Sequence, residues 1–274
     1  RWAPIKDAEY LIARISRLSL SASEWRDMSV VLTQRIETAS PGQAHVFGAA
    51  LLSYARPLAD LDGMNRARTT IKGVLTPWLI GPFDNDQGKA FNMIYPPEID
   101  GVTQAPTLGT VLPGSWRRSP TLTPLGTVVL DELMSPVDWQ TAYAQSEFQI
   151  TEAQDAEVRL STSDPVKVWI DGQLVFQTRT IERFVFDNIV LSLPLSKGTH
   201  RVLVKTMNES GRWQLRMRLT GPGGRSISGG IIETEGLSDI ENVVAEVKIT
   251  PTKPTVITAS AYQNFKSVDR LQRL

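Results

Sequence analysis

The sequence has no cysteine. That absence excludes disulfides, zinc–thiolate centres, thiol nucleophiles and attached c-type haem. It leaves the compartment open, since a secreted chain can do without disulfides. Histidine is nearly as scarce: His45 and His200 are the only two in 274 residues, too few for a histidine-built metal centre. Charge is balanced, 29 Lys+Arg against 29 Asp+Glu, which argues against a dedicated nucleic-acid binder with its usual basic surplus. No run approaches the roughly 18 apolar residues a membrane-spanning helix needs, so no membrane span is expected in this chain. What remains, 41% apolar residues and 19 glycines, is the composition of a globular protein long enough for about two domains. The chain opens on Arg1 without an initiator methionine, which reads as a processed form or part of a longer parent.

Residues 1–75 carry helical periodicity. Ala8, Leu11, Ile12, Ile15 and Leu18 recur at spacings of three and four over 6–19. Ser21 or Ser23 offers an N-cap before Trp25, Met28, Val31, Leu32 and Ile36. Pro41-Gly42 breaks that run, His45, Ala49, Leu52 and Ala55 mark a third helix, and Asp62-Gly63 precedes a short fourth. Helices of this length joined by short breaks look like the helix pairs of a tetratricopeptide-type solenoid.

Over residues 76–222 the pattern becomes that of short strands. Val166, Val168 and Ile170 alternate with Lys167, Trp169 and Asp171. Asp171-Gly172 then supplies a type I′ turn, and Leu174–Thr178 returns as the partner strand. Ile189–Leu195 is a further strand, and Arg201–Thr206 and Trp213–Thr220 flank a turn that suggests a second hairpin. Turn signals every 8–12 residues point to an antiparallel sandwich. Residues 223–274 read as an extended tail, with strands at 231–234 and 243–249 and a terminal helix over 260–274. The fold class expected is therefore α+β multidomain, an N-terminal helical-repeat region followed by an antiparallel jelly-roll β-sandwich.

Three stretches carry a resemblance. They are Trp78-Leu79-Ile80-Gly81-Pro82-Phe83-Asp84-Asn85, Val166-Lys167-Val168-Trp169-Ile170-Asp171-Gly172, and Lys197-Gly198-Thr199-His200-Arg201-Val202-Leu203-Val204-Lys205. In that order they resemble a bacterial galactose-binding-like jelly-roll module, found in large extracytoplasmic proteins beside helical repeats and sometimes beside transglutaminase-like domains. Similar hairpins occur in lectin-like domains of the protective-antigen type and in accessory domains of glycosidases. The resemblance implies a bacterial protein of the periplasm or cell surface. It does not fix a function, because this fold hosts sugar binders, scaffolds and interaction modules alike.

Candidate chemistry is sparse. Asp84, Asn85, Asp86 and Gly88 form an acidic loop that could give oxygen ligands to calcium, shared with Asp164 or Asp187. The EF-hand pattern fails, because its twelfth position is Tyr95. No other cofactor is implied. Among the seven tryptophans, Trp116 and Trp139 sit in loop or strand-entrance positions suited to stacking on a sugar ring, and Trp169 faces away from its apolar neighbours. Trp78 and Trp213 share phase with apolar residues and read as core. No G-x-S-x-G elbow occurs, and neither histidine lies in a sequence context that suggests a Ser-His-Asp set, so no catalytic residue is assigned and an enzyme is not expected.

The zero net charge hides a polarity. Residues 195–225 hold seven Lys/Arg against Glu209 alone, and residues 226–246 hold five acids and no Lys or Arg. Arg216 and Arg218 alternate with Leu215, Met217 and Leu219, so they share one sheet face with Gln214. Together with Arg201 and Lys205 they form either a clamp for the acidic segment or a docking surface for a protein partner. The reading expected is a non-catalytic structural or interaction module of a larger extracytoplasmic assembly. The alternatives are a carbohydrate-binding module for glycan or peptidoglycan, and an accessory region of a hydrolase.

Overall fold

The computed structural model describes residues 20–39, 41–55, 58–99, 115–120, 126–180, 184, 186–229 and 232–233. The expected helices at 6–19 and 260–274, the strand at 243–249 and most of the acidic segment lie outside them.

Helix α1 (Ala22–Thr38) starts at Ser21, whose hydroxyl accepts from Glu24 N while the Glu24 carboxylate accepts from Ser21 N at 2.8 Å. That reciprocal pair is a capping box. Helix α2 (Pro41–Ala55) follows, then α3 (Leu61–Thr70), whose cap Asp60 accepts from Gly63 N at 2.9 Å. Trp25, Leu32, Leu51, Leu52, Ala67 and Ile71 close a core between the three helices, and Phe186 joins it from the β-region. Among the described residues these helices show no repeat. They make one layer laid on a sheet.

Two antiparallel sheets stack on a second core. The larger runs β2 (Arg117–Arg118), β1 (Trp78–Asp84), β4 (Gln140–Ile150), β9 (Gly198–Asn208), β6 (Val166–Ile170), β7 (Gln173–Thr178), with β11 (Ile232–Glu233) also pairing β4. The smaller runs β3 (Thr127–Val129), β10 (Gln214–Thr220), β5 (Gln154–Thr162), β8 (Ile189–Leu195). Alternation sends Phe148, Val168 and Val204 of one sheet against Leu160, Leu215 and Met217 of the other, the period-2 burial of a sandwich. The expected second hairpin is corrected: β9 and β10 lie in different sheets. The chain crosses between them where Trp213, fully buried, donates Nε1–H to Thr206 Oγ1 at 3.1 Å. The strand order shows two antiparallel sheets without singling out a jelly roll.

The helices reach the smaller sheet through residues 73–75. Leu219 N donates to the Gly73 carbonyl at 2.7 Å and Leu75 N to the Met217 carbonyl at 3.0 Å. A Cβ on Gly73 would stand 1.8 Å from the Leu219 carbonyl oxygen, and its φ is +68°, so only glycine fits. Arg216 and Arg218 do share the face opposite the core, but that face is closed. Arg218 is fully buried and donates to Asp187 Oδ2 at 2.6 Å and to the Lys72 carbonyl at 3.0 Å, and it touches His45 Nδ1 on α2. Arg159 adds a second pair to Asp187 at 3.0 Å. Burial alone would raise the Asp187 pKa, yet Arg218, then Arg159 and Arg216, hold it below the usual carboxylate range. Burial first, and the Arg218 charge second, push His45 down to about 3, so its ring is neutral and its Nδ1 accepts. Replacing Asp187 with Asn leaves the fully buried Arg218 without its carboxylate, while Arg159 keeps Glu157, and urea unfolding should show a loss of about 3–5 kcal/mol, a loss below about 1 kcal/mol refuting the point.

The Asp171-Gly172 turn has φ of +50° and +79°, as a type I′ hairpin requires. Asp171 accepts from His200 Nδ1 and from Arg201 N, both at 2.7 Å, and His200 Nε2 donates to the Ser196 carbonyl at 2.8 Å. The imidazole thereby ties the β6–β7 turn to the β8–β9 turn. Burial would depress its pKa, but the bonds to Asp171 and to the Ser196 carbonyl outweigh burial and hold it above the ordinary histidine value. A raised folded pKa means the stabilisation is complete below the unfolded value of about 6.5 and is lost as pH rises through the folded one. The stability gap between wild type and His200→Gln should therefore narrow as pH climbs from about 5.5 to about 9, and a gap constant over that span would show the ring is not held protonated.

Candidate ligand-binding face

The outer face of the smaller sheet is closed by the helices. The outer face of the larger sheet is different, and strand register arranges its side chains in rows. One row runs Trp78, Gln145, Leu203, Trp169 across β1, β4, β9 and β6. A second, toward the Asn208 end, runs Ile80, Tyr143, Lys205, Lys167. A third pairs Glu147 with Arg201. Leu79, Ala144, Phe148, Val168, Val202 and Val204, one position out of phase, point into the sandwich core.

The second row is roofed by residues 86–99. Lys205, fully buried, donates from Nζ to the Met93 carbonyl and to Glu98 Oε1, both at 2.7 Å. Tyr143 donates its hydroxyl to the same Glu98 oxygen, and burial pushes the Tyr143 pKa well above its ordinary value. Burial lowers the Lys205 pKa, while Glu98 opposes the shift. Phe83 meets the Tyr143 ring edge-on at 5.6 Å. In the third row Arg201 donates to Glu147 Oε2 at 3.0 Å. Each of these buried charges has a partner.

The first row breaks that rule. Gln145 is 0% exposed, and neither Nε2 nor Oε1 has a hydrogen-bond partner. Its cross-strand neighbour Trp78 is also buried, with Nε1 unpartnered. Each such orphan costs about 1–3 kcal/mol, so three on two adjacent side chains are a concentrated expense of stability. Half-buried Trp116, just before β2, packs on Trp78 and on the cluster of Tyr143, Trp169 and Leu203.

Of the residues singled out in the sequence, Trp116 and Trp169 come together here, Trp169 buried in the first row. Trp139 stands apart: 42% exposed at φ +56°, six residues down β4 and so about 20 Å away. Trp78 is buried as expected, but on this outer face rather than in the core between the sheets. The basic docking surface needs correction. Lys205, Arg216 and Arg218 are buried and Arg201 is paired with Glu147, because the opposing carboxylates Glu98 and Asp187 come from covering segments rather than from a partner. Asp84 and Asp86 lie on either side of Lys89, at 2.5 and 3.8 Å from its Nζ. Asp164 is buried elsewhere, its pKa raised to about 7 chiefly by burial, and Asp187 is held by arginines. The four carboxylates do not converge. Among the described residues no group of three or more His, Asp or Glu is placed to hold a metal.

His200 does lie between a serine and an aspartate, which its sequence context did not suggest. Ser196 Oγ is 3.4 Å from Nε2. The nearer neighbour of Nε2 is a carbonyl oxygen, an acceptor only, so Nε2 carries a proton and cannot serve as the base that a serine nucleophile needs. Gln145, Glu98 and Tyr143 were not picked out from the sequence. The legible signal was the alternation Tyr143, Gln145, Glu147 in one strand, which places an aromatic ring, an amide and an acid on one face.

No family model matches this chain, and no curated protein does. Among solved structures it is similar to a β-glucosidase from Kluyveromyces marxianus, at 16% identity and a TM-score of 0.29 over 39% of this chain and 14% of that one. It is similar to the PA14 domain of the antifreeze protein MpAFP, at 16% identity and 0.28 over 35% of this chain and 52% of that one. A family 35 carbohydrate binding module from an environmental isolate follows at 14% identity and 0.23, over 30% of this chain and 67% of that one. The chain thus spans about half or less of the first two.

Proposed function

We propose that the protein is a non-catalytic recognition module whose ligand is a glycan and whose binding surface is the outer face of the larger sheet. One observation carries this reading: two indoles, Trp78 and Trp169, stand in a single cross-strand row with an amide between them, and a third indole, Trp116, packs on Trp78. Flat apolar surface beside a few fixed polar atoms is what a sugar ring requires, since its C–H face stacks on aromatic rings while its hydroxyls need directed partners. The Nε2-to-carbonyl bond of His200 speaks against serine-type hydrolysis by this chain, so attachment to a separate hydrolase, outside the cytoplasm, fits the reading. It requires no calcium; Lys89 already holds Asp84.

Docking of a protein partner is the second reading, favoured by Val30, Val31 and Leu61, which stand exposed on the helical layer at 55%, 49% and 69%. A glycan array and polysaccharide pull-down with the full chain separate the two. Trp116→Ala should weaken glycan binding by about tenfold or more, and Trp139→Ala should change it less than about twofold. Silence of every glycan tested would refute the glycan reading.

A further inference from the structure

The geometry points to a specific ligand class for this face: Gln145 and Trp78 form a closed subsite for the vicinal diol of a neutral pyranose, with Trp116 packed on the Trp78 indole beside it. The inference rests on the glycan reading and deepens it. Three polar atoms are buried side by side without partners: Nε2 and Oε1 of Gln145 and Nε1 of Trp78. A carboxamide offers a donor and an acceptor side by side on one edge. Two neighbouring hydroxyls match that edge, one accepting from Nε2 while the other donates to Oε1, and the indole N–H supplies a further donor to a ring substituent. A secondary amide does not match it, because its N–H and C=O point to opposite sides of a trans peptide-like plane. A carboxylate does not match either. It would face Oε1 with no proton to give, and the flanking cations Lys205 and Arg201 are engaged by Glu98 at 2.7 Å and by Glu147 at 3.0 Å. The ligand that satisfies all three orphans is therefore uncharged and rich in hydroxyls.

Gln145 is 0% exposed, so a sugar reaches it only when the groups packed over this face move aside. The segment bearing Trp116 is fixed by the short β2–β1 pairing, by Ser119 N donating to the Pro77 carbonyl at 2.9 Å and by Arg117 donating to the Leu133 carbonyl at 2.8 Å. Trp116, packed on Trp78, offers an indole face beside the bound ring.

The test uses the full chain and titration calorimetry with methyl glucopyranoside, methyl mannopyranoside and methyl galactopyranoside, their 3-deoxy and 4-deoxy analogues, and glucuronate. At least one neutral glycoside should bind, loss of one hydroxyl of the recognised pair should weaken it about tenfold or more, and glucuronate should bind more weakly. Gln145→Met and Gln145→Leu should lose the same binding about tenfold or more yet melt at a higher temperature, because an unpartnered buried amide has been replaced by apolar atoms of similar size. A structural role for Gln145 would instead lower the melting temperature of both variants, and that result overturns the subsite. Binding unchanged in both variants, or tighter for glucuronate, also overturns it while leaving a glycan bound elsewhere on the protein. Failure of these glycosides together with silence of the glycan array removes both readings at once.

Discussion

The pairing of Arg218 with Asp187 is the joint on which the rest of this structure depends. Arg218 projects from the centre of β10, and the face it occupies would be solvent-facing in a two-layer sandwich. Here α2 and the 72–75 segment cover it, so a guanidinium that β10 exposes on its outer side ends fully buried. That is tolerable only because Asp187, Lys72 and His45 all meet it, and because burial keeps His45 neutral so that its Nδ1 can accept. Removing the helical layer would leave the ion pair half-hydrated, and removing the pair would leave the layer resting on unpaired charge. This contact is what fastens the helical layer to the smaller sheet.

The same logic separates the two outer faces. Over the smaller sheet the buried cations of β10 and β5 find acids from the 187 loop and from their own strand. Over the larger sheet Lys205 and Arg201 are likewise answered by Glu98 and Glu147. The chain answers these buried charges, yet it leaves a neutral amide and an indole N–H unpartnered side by side, besides single orphans elsewhere such as Asn208 Oδ1. Native proteins leave few buried polar groups unpaired, so three such atoms on two neighbouring side chains are informative.

Much of the architecture was legible in the sequence. The period-2 runs of β6, β7 and β8, the Asp171-Gly172 turn and the Ser21-initiated helix follow from local rules that act over a few residues. What was not legible was assignment to layers. Arg201–Thr206 and Trp213–Thr220 look like hairpin partners because sequence distance is short, but Trp213 packs into the core at the crossover and sends β10 to the other sheet. The basic face was read correctly as a face and wrongly as a surface, since periodicity gives direction but not what covers it. The indoles divided in the same way: alternation put Trp169 off the core, while only the register of four strands could set it in line with Gln145 and Trp78.

His200 shows how far chemistry can differ where composition is the same. A serine, a histidine and an aspartate lie in contact, the ingredients of nucleophilic catalysis, and the order of contacts even matches, with Asp171 on Nδ1. The deciding atom is the Ser196 carbonyl. By accepting from Nε2 it fixes the proton on the nitrogen that a general base must leave bare, and with Asp171 accepting from Nδ1 both ring nitrogens become donors. The same two bonds that raise the pKa of the ring and make it a fastening between turns are those that deny it a lone pair. Catalysis and stapling are therefore exclusive uses of this imidazole, and the turn geometry of Lys197 and Gly198, which brings the Ser196 carbonyl back over the ring, selects the second.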